Sequence, residues 1–161
     1  MLAAVARDPA AAGGAYPALD RSPGRAWADV VTDRAYACPA LAGYQRATAP
    51  LYAYEFADPT APPTCIGLPQ APADGVTHGA ELAYLFDLVP GQPALTPVQQ
   101  AQADRMVGAW ARFVVAGDPG GNGLTWPRWT RAGQVLSIGA TSMAARPAAD
   151  VAADHHRDLW G

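Results

Sequence analysis

Three histidines, His78, His155 and His156, carry the side chains that titrate nearest neutral pH, so proton-transfer chemistry in this chain starts with them. His155 and His156 are adjacent. On a helix they would point roughly 100° apart and could not readily share a metal ion. One packed and one solvated imidazole near a helix end is the expectation for that pair. His78 differs, because it sits between Gly75 and Gly79 after a long loop that leaves an expected strand. Catalytic side chains concentrate on loops held by a rigid scaffold. Glu81, one of only two glutamates, follows three residues later. His78-x-x-Glu81 would set two potential ligands on one helical turn, but no third donor lies close in sequence, so no metal site is expected. On spacing alone an ordinary loop histidine is favoured over a catalytic one.

The nucleophile search is short. There are three serines, Ser22, Ser137 and Ser142, and none lies in Gly-x-Ser-x-Gly at a strand-to-helix turn. Ser137 falls inside an expected strand, and Ser22 reads as a turn or helix-capping residue. All 11 cations are Arg, which excludes a lysine nucleophile, a Schiff base or a P-loop lysine. Cys38 and Cys65 are too few for a disulfide scaffold or a four-thiolate zinc site, and Cys38 reads as a small core residue. The glycine-rich run from Gly117 to Gly123 lacks the Lys and Ser/Thr of a phosphate cradle and reads as a turn.

The elements that must position these residues follow from pattern. Residues 1–23, rich in Ala, Gly and Pro, show no period and read as a loose or partly ordered leader, placed at residues 1–26 as a domain boundary. Trp27, Val30, Val31, Arg34, Cys38, Leu41 and Ala42 follow helical spacing, and Pro39 should kink that helix or open a second one. Leu51 to Phe56, bounded by Pro50 and Asp58-Pro59, reads as a strand covered on both faces, as in a parallel sheet. A Pro-rich loop over 57–75 leads to His78, and one or two helical turns are expected up to Leu88. Thr96 is a natural N-cap, with Pro97 at N1 and Gln99 completing a capping box. The buried stripe of that helix is expected at Met106, Trp110, Phe113 and Val114, with Gly117 as its C-cap. Gln134 to Ile138 reads as a short strand, and Pro147 to Trp160 as a closing helix with Ala148, Val151, Ala152 and Leu159 on one side. Alternating helices and strands give an α/β class with parallel strands.

Composition narrows the functions. The chain has 161 residues, a net charge of −3 and 16% charged residues. It offers no basic face for nucleic acid and no apolar run near the ~18 residues that span a membrane. The first eight residues reach Arg7 and Asp8 too soon for a signal-peptide core, and localisation stays open.

Motif order adds a resemblance. Asp33 to Pro39 (DRAYACP), Leu51 to Phe56 (LYAYEF) and Gly75 to Leu82 (GVTHGAEL) are followed by Gln100 to Met106 and Trp110 to Phe113. Gly117-Asp118-Pro119, Trp126 to Trp129 and His155 to Trp160 complete the series. Over roughly residues 27–161 the chain resembles the C-terminal portion of type-B carboxylesterases, the cholinesterase-like and para-nitrobenzyl esterase-like branch of the α/β-hydrolases, and most of all their bacterial members. The resemblance implies the last parallel strands of an α/β-hydrolase sheet with flanking helices, the sheet itself incomplete. It implies that His78 is the triad histidine, that Gly79 lets its loop pass close to neighbouring backbone, and that Glu81 serves in a polar network behind the triad. A helix-start carboxylate is an equally good reading of Glu81. The nucleophile elbow, oxyanion loop and triad acid of the family lie N-terminal to the matched region, so the chain alone is expected to be inactive. The implied substrate is a carboxylic ester, with no cofactor and no metal, and the N-terminal part of the fold is an implied partner.

Where many family members carry a cysteine able to pair with the match of Cys38, this chain has Arg157. Cys38 is therefore expected as a free thiol, with a Cys38–Cys65 pair as the alternative. A competing reading is a non-catalytic remnant or interaction module whose unpaired sheet edge binds a partner chain. In either reading Trp110, Phe113, Trp126 and Trp129 are expected to leave apolar surface exposed.

Overall fold

A computed structural model describes residues 6–17, 22–62, 75–87 and 93–160. Cys65, Leu88 and most of the Pro-rich loop lie outside these residues. The chain divides into two units, neither contiguous in sequence: residues 1–51, 129–133 and 147–161 form one, and 52–128 with 134–146 form the other.

The first unit is helical. α1 (Pro9–Ala15) falls where a loose leader is expected; Asp8 caps it, accepting from the Ala10 and Ala11 amides at 3.0 Å each. Ala and Gly leave no periodic stripe to read, so the cap and the buried Tyr16 beyond it mark the helix instead. α2 (Pro23–Thr32) starts four residues before Trp27, with Ser22 accepting from the Arg25 amide. A π-helical turn, Asp33–Ala37, joins it to α3 (Cys38–Arg46), in whose first turn Pro39 stands. Proline is tolerated there because first-turn amides have no helical partner.

The expected closing helix is two. α6 (Ala148–Asp154) ends where His156 takes a left-handed φ of 45°, and α7 (Arg157–Trp160) resumes after it. Such a φ is uncommon outside glycine, and a buried polar cluster accompanies it. Tyr16 Oη donates to Asp33 Oδ2 at 2.5 Å, and His155 Nδ1 lies 2.6 Å from Asp33 Oδ1. Trp160 Nε1 donates to Tyr16 Oη at 2.8 Å, and the His156 ring meets Tyr16 edge-on at 4.8 Å. Both imidazoles are half-buried, so the expected split into one packed and one solvated histidine does not hold.

The second unit holds the sheet, with strand order β1-β2-β3. β1 (Ala53–Phe56) and β2 (Gln134–Ile138) run parallel, Ala53 opposite Val135 and Phe56 opposite Ile138. A parallel pair needs a long crossover, and here it contains α4 (Leu82–Leu85) and α5 (Pro97–Ala116). Ala53 and Val135 on one face, and Leu136 and Ile138 on the other, are all buried, as a parallel pair covered on both faces requires. β3 (Met143–Pro147) follows β2 through a tight turn in which the Gly139 amide donates to the Ser142 carbonyl at 2.9 Å. Its sequence, Met-Ala-Ala-Arg-Pro, lacks the β-branched and aromatic residues that announce a strand, and its proline suits an edge.

α5 opens on the expected capping box, and Gly117 closes it in the left-handed conformation. Its buried face is Gln99, Gln102, Ala103, Met106 and Ala109. Of the expected stripe, Met106 is buried and Trp110 half-buried, but Phe113 is 45% and Val114 82% exposed. Length explains the correction. A 20-residue helix is about 30 Å long, and strands of four or five residues reach roughly 17 Å, so the last turn overhangs the sheet. Trp126 is also corrected: it is buried, with its indole N–H donating to the Ala53 carbonyl at 3.1 Å.

Candidate active site

His78 lies on a run of turns that begins just after the residues outside the description. Ala80 N donates to Thr77 O, Leu82 N to Gly79 O and Tyr84 N to Glu81 O, each at 3.0 Å. The backbone from Thr77 into α4 is thus continuously hydrogen-bonded, with the His78 side chain exposed. Gly79 has a φ of 78°, and this left-handed conformation is a direct reason for glycine beside the histidine. Glu81 occupies the N-cap position of α4, half-buried and making no side-chain capping bond.

The turn is anchored at the carboxyl end of β1. Asp58, two residues past that strand, is fully buried. Its Oδ2 accepts from Tyr84 Oη at 2.5 Å, and its Oδ1 from the Thr60 amide at 2.8 Å and the Thr60 hydroxyl at 2.7 Å. Gln99 Nε2 donates to the Thr60 carbonyl at 2.8 Å, tying in the first turn of α5. The Tyr84 ring packs edge-on to Phe56 at 5.0 Å. Burial, and then the hydrogen bond to Asp58, push the Tyr84 phenol well above its ordinary range. Neither Asp58 nor Tyr84 stands out in sequence, since one is an aspartate among twelve and the other an aromatic in an apolar stretch. Asp58-Pro59-Thr60, in which a side chain bonds the backbone two residues on, is the one local signal.

The serines have other places. Ser22 caps α2, Ser137 stands within β2, and Ser142 closes the turn into β3, so no serine occupies a strand-to-helix elbow. Cys38 is a free, buried thiol donating to the His155 carbonyl at 3.4 Å, and burial followed by the charge of Asp33 raises its pKa. The Asp33–His155 pair belongs to the helical unit. A carboxylate only accepts, so His155 Nδ1 carries the proton between them. Among the described residues no three His, Cys, Asp or Glu side chains are grouped to hold a metal ion, and no helix is long and apolar enough to cross a membrane.

Comparison with known proteins gives a consistent result. The profile of the carboxylesterase family matches residues 18–156. The chain is 31% identical to carboxylesterase 5A of Felis catus over 121 residues, which is 68% of this chain and 22% of that protein. It is 31% identical to cocaine esterase of Homo sapiens over 115 residues, 68% of this chain and 20% of that protein. Among solved structures, a PNB esterase superposes on 99% of the chain with a TM-score of 0.69 at 20% identity, and 32% of that esterase is covered. A carboxylesterase of Geobacillus stearothermophilus superposes on 98% with the same TM-score at 22% identity, and 33% of it is covered. These likenesses show part of an α/β-hydrolase fold, built on a three-stranded sheet. The chain spans about a fifth of the curated relatives and a third of the solved esterases it matches.

Proposed function

The chain belongs to the carboxylesterase family, and from that premise we propose that it is the C-terminal portion of a serine carboxylesterase of bacterial type, contributing His78 as the general base. The supporting observation is the bond from Tyr84 to Asp58, which holds the His78 turn at the carboxyl end of a parallel strand pair. Open α/β sheets bind their ligands at that end. In this reading His78 takes the proton of a serine hydroxyl as the serine attacks the carbonyl of a carboxylic ester. The imidazolium then returns the proton to the departing alcohol, and a water repeats the cycle to release the acid. Gly79 keeps the turn tight, and Glu81 takes part in polar contacts behind the imidazole.

The nucleophile, the oxyanion amides and the triad acid come from the N-terminal part of the family fold. In this reading that part extends the sheet from one of its two end strands, β1 or β3. The chain alone is therefore expected to hydrolyse a short-chain aryl ester no faster than buffer. Rapid turnover by the chain alone, abolished in His78→Ala, would overturn the claim that the nucleophile is supplied from elsewhere. An in-frame Gly-x-Ser-x-Gly coding region in the DNA upstream of Met1 would support this reading and its absence would favour a non-catalytic remnant; a protein expressed from both parts is expected to turn over the ester. His78→Ala should lower that rate on the order of 10⁴-fold or more. Full activity in His78→Ala would sink the assignment of the base.

A further inference from the structure

Burying a carboxylate is costly unless donors surround it, and Asp58 collects its donors from two places. Thr60 supplies two within its own turn, and Tyr84 reaches it from α4 with a distance typical of a short O–H···O⁻ bond. α4 has only four residues, far too few to persist without tertiary contacts. Leu82 and Phe86 are exposed and Ala83 and Leu85 only half-buried against the core, so Tyr84 is the one buried residue of α4, with the small side chain of Ala80 buried ahead of it. Its ring supplies apolar contact with Phe56, which holds it down without fixing its direction. Its hydroxyl supplies direction. Between Tyr84 and His78 the turns overlap, 77 to 80, 79 to 82 and 81 to 84, and leave no unbonded hinge. Whatever orients Tyr84 therefore orients the backbone that carries His78.

We propose that Asp58, acting through the Tyr84 hydroxyl, is a positioning residue for His78, setting the direction in which the imidazole is offered at the end of β1. Its catalytic meaning rests on His78 being the base, but the positioning itself does not. Thr60 and Gln99 complete the device. Gln99 joins the same corner to the first turn of α5, so the sheet, α4 and α5 all meet at Asp58.

The test uses the full 161-residue chain. Tyr84→Phe deletes only the hydroxyl, Asp58→Asn keeps the shape and removes the charge, and Val135→Ala weakens the opposite face of the sheet, away from the cluster that holds Tyr84, as a control. Amide exchange at Ala80, Leu82 and Tyr84 is compared with exchange in β1 and β2, and the His78 Cε1–H signal is followed by NMR. In Tyr84→Phe and Asp58→Asn, exchange in the turn is expected to rise at least ~10-fold more than in the strands, with the His78 signal shifted or broadened. Val135→Ala should raise exchange without singling out the turn. An even rise across the unit in Tyr84→Phe, or an unchanged turn, would overturn the proposal. In the co-expressed enzyme the same two variants should lower kcat with KM nearly unchanged. If His78→Ala retains activity there while the exchange pattern holds, the base assignment fails and the positioning stands.

Discussion

Burial at Tyr16, Tyr84 and Cys38 has a consequence that pH makes visible. Desolvation first, and then the neighbouring aspartate in each case, raises these three groups above their ordinary phenol value of 10.0 and thiol value of 9.0. Each is neutral when protonated, so the folded chain keeps these protons to higher pH than the unfolded chain does. Their contribution to stability is complete below the ordinary values and is lost as pH rises past them. Urea midpoints are therefore expected to hold steady from about pH 7 to 8.5 and to fall from about pH 9 upward. Tyr16→Phe or Tyr84→Phe should each make that alkaline fall shallower. An unchanged alkaline slope in both variants would contradict the buried-phenol account. At this scale spacing drew attention to His78, flanked by glycines, without assigning it a role, and Gly79 beside it takes a left-handed φ of 78°. Asp33 and Asp58 stayed hidden. Their burial depends on Tyr16, His155 and Tyr84, partners 17, 122 and 26 residues away, and no local spacing encodes such distances.

Helix ends were easier to read than helix faces. The Thr96–Gln99 box and Gly117 are local chemistry, decided by neighbours within three or four residues, and α5 begins and ends where they say. The face of α5 is decided by what it lies on. Apolar spacing alone favours Phe113 and Val114, which are exposed, whereas Gln99 and Gln102, donating to the Thr60 and Ser142 carbonyls, are buried at the other end of the helix. β3 escaped detection for the complementary reason: an edge strand of small and charged residues takes its conformation from β2 rather than from its own side chains. Thr96→Ala should cost about 1 kcal/mol by chemical denaturation. It should also loosen Gln99 from Thr60, because the box orients the same side chain that donates to the Thr60 carbonyl. A cost near zero would mean that packing alone fixes the start of α5.

For the whole molecule, family membership was legible from motif order, because the motifs span both units, as does the family match over residues 18–156. The expected apolar exposure holds at Phe113, 45% exposed, and fails at Trp126, which is buried, while Val114 and Val115, 82% and 87% exposed, add to it. Val115→Lys is expected to leave the unfolding free energy within about 0.5 kcal/mol while reducing self-association seen by light scattering. A large loss of stability would show that Val115 is packed in solution. The Tyr16 cluster has a temporal side as well. Tyr16 is held by Asp33 nearby in sequence, but also by Trp160, 144 residues further on. At typical synthesis rates of about 5–20 residues per second, roughly 7–30 s separate the emergence of these two rings. Throughout that interval a nascent α1 has made only part of its contacts, and the helical unit closes after the sheet-bearing unit has largely been made. Birth order thus brings α1, α2 and α3 out first yet leaves the Tyr16 cluster open until Trp160 arrives.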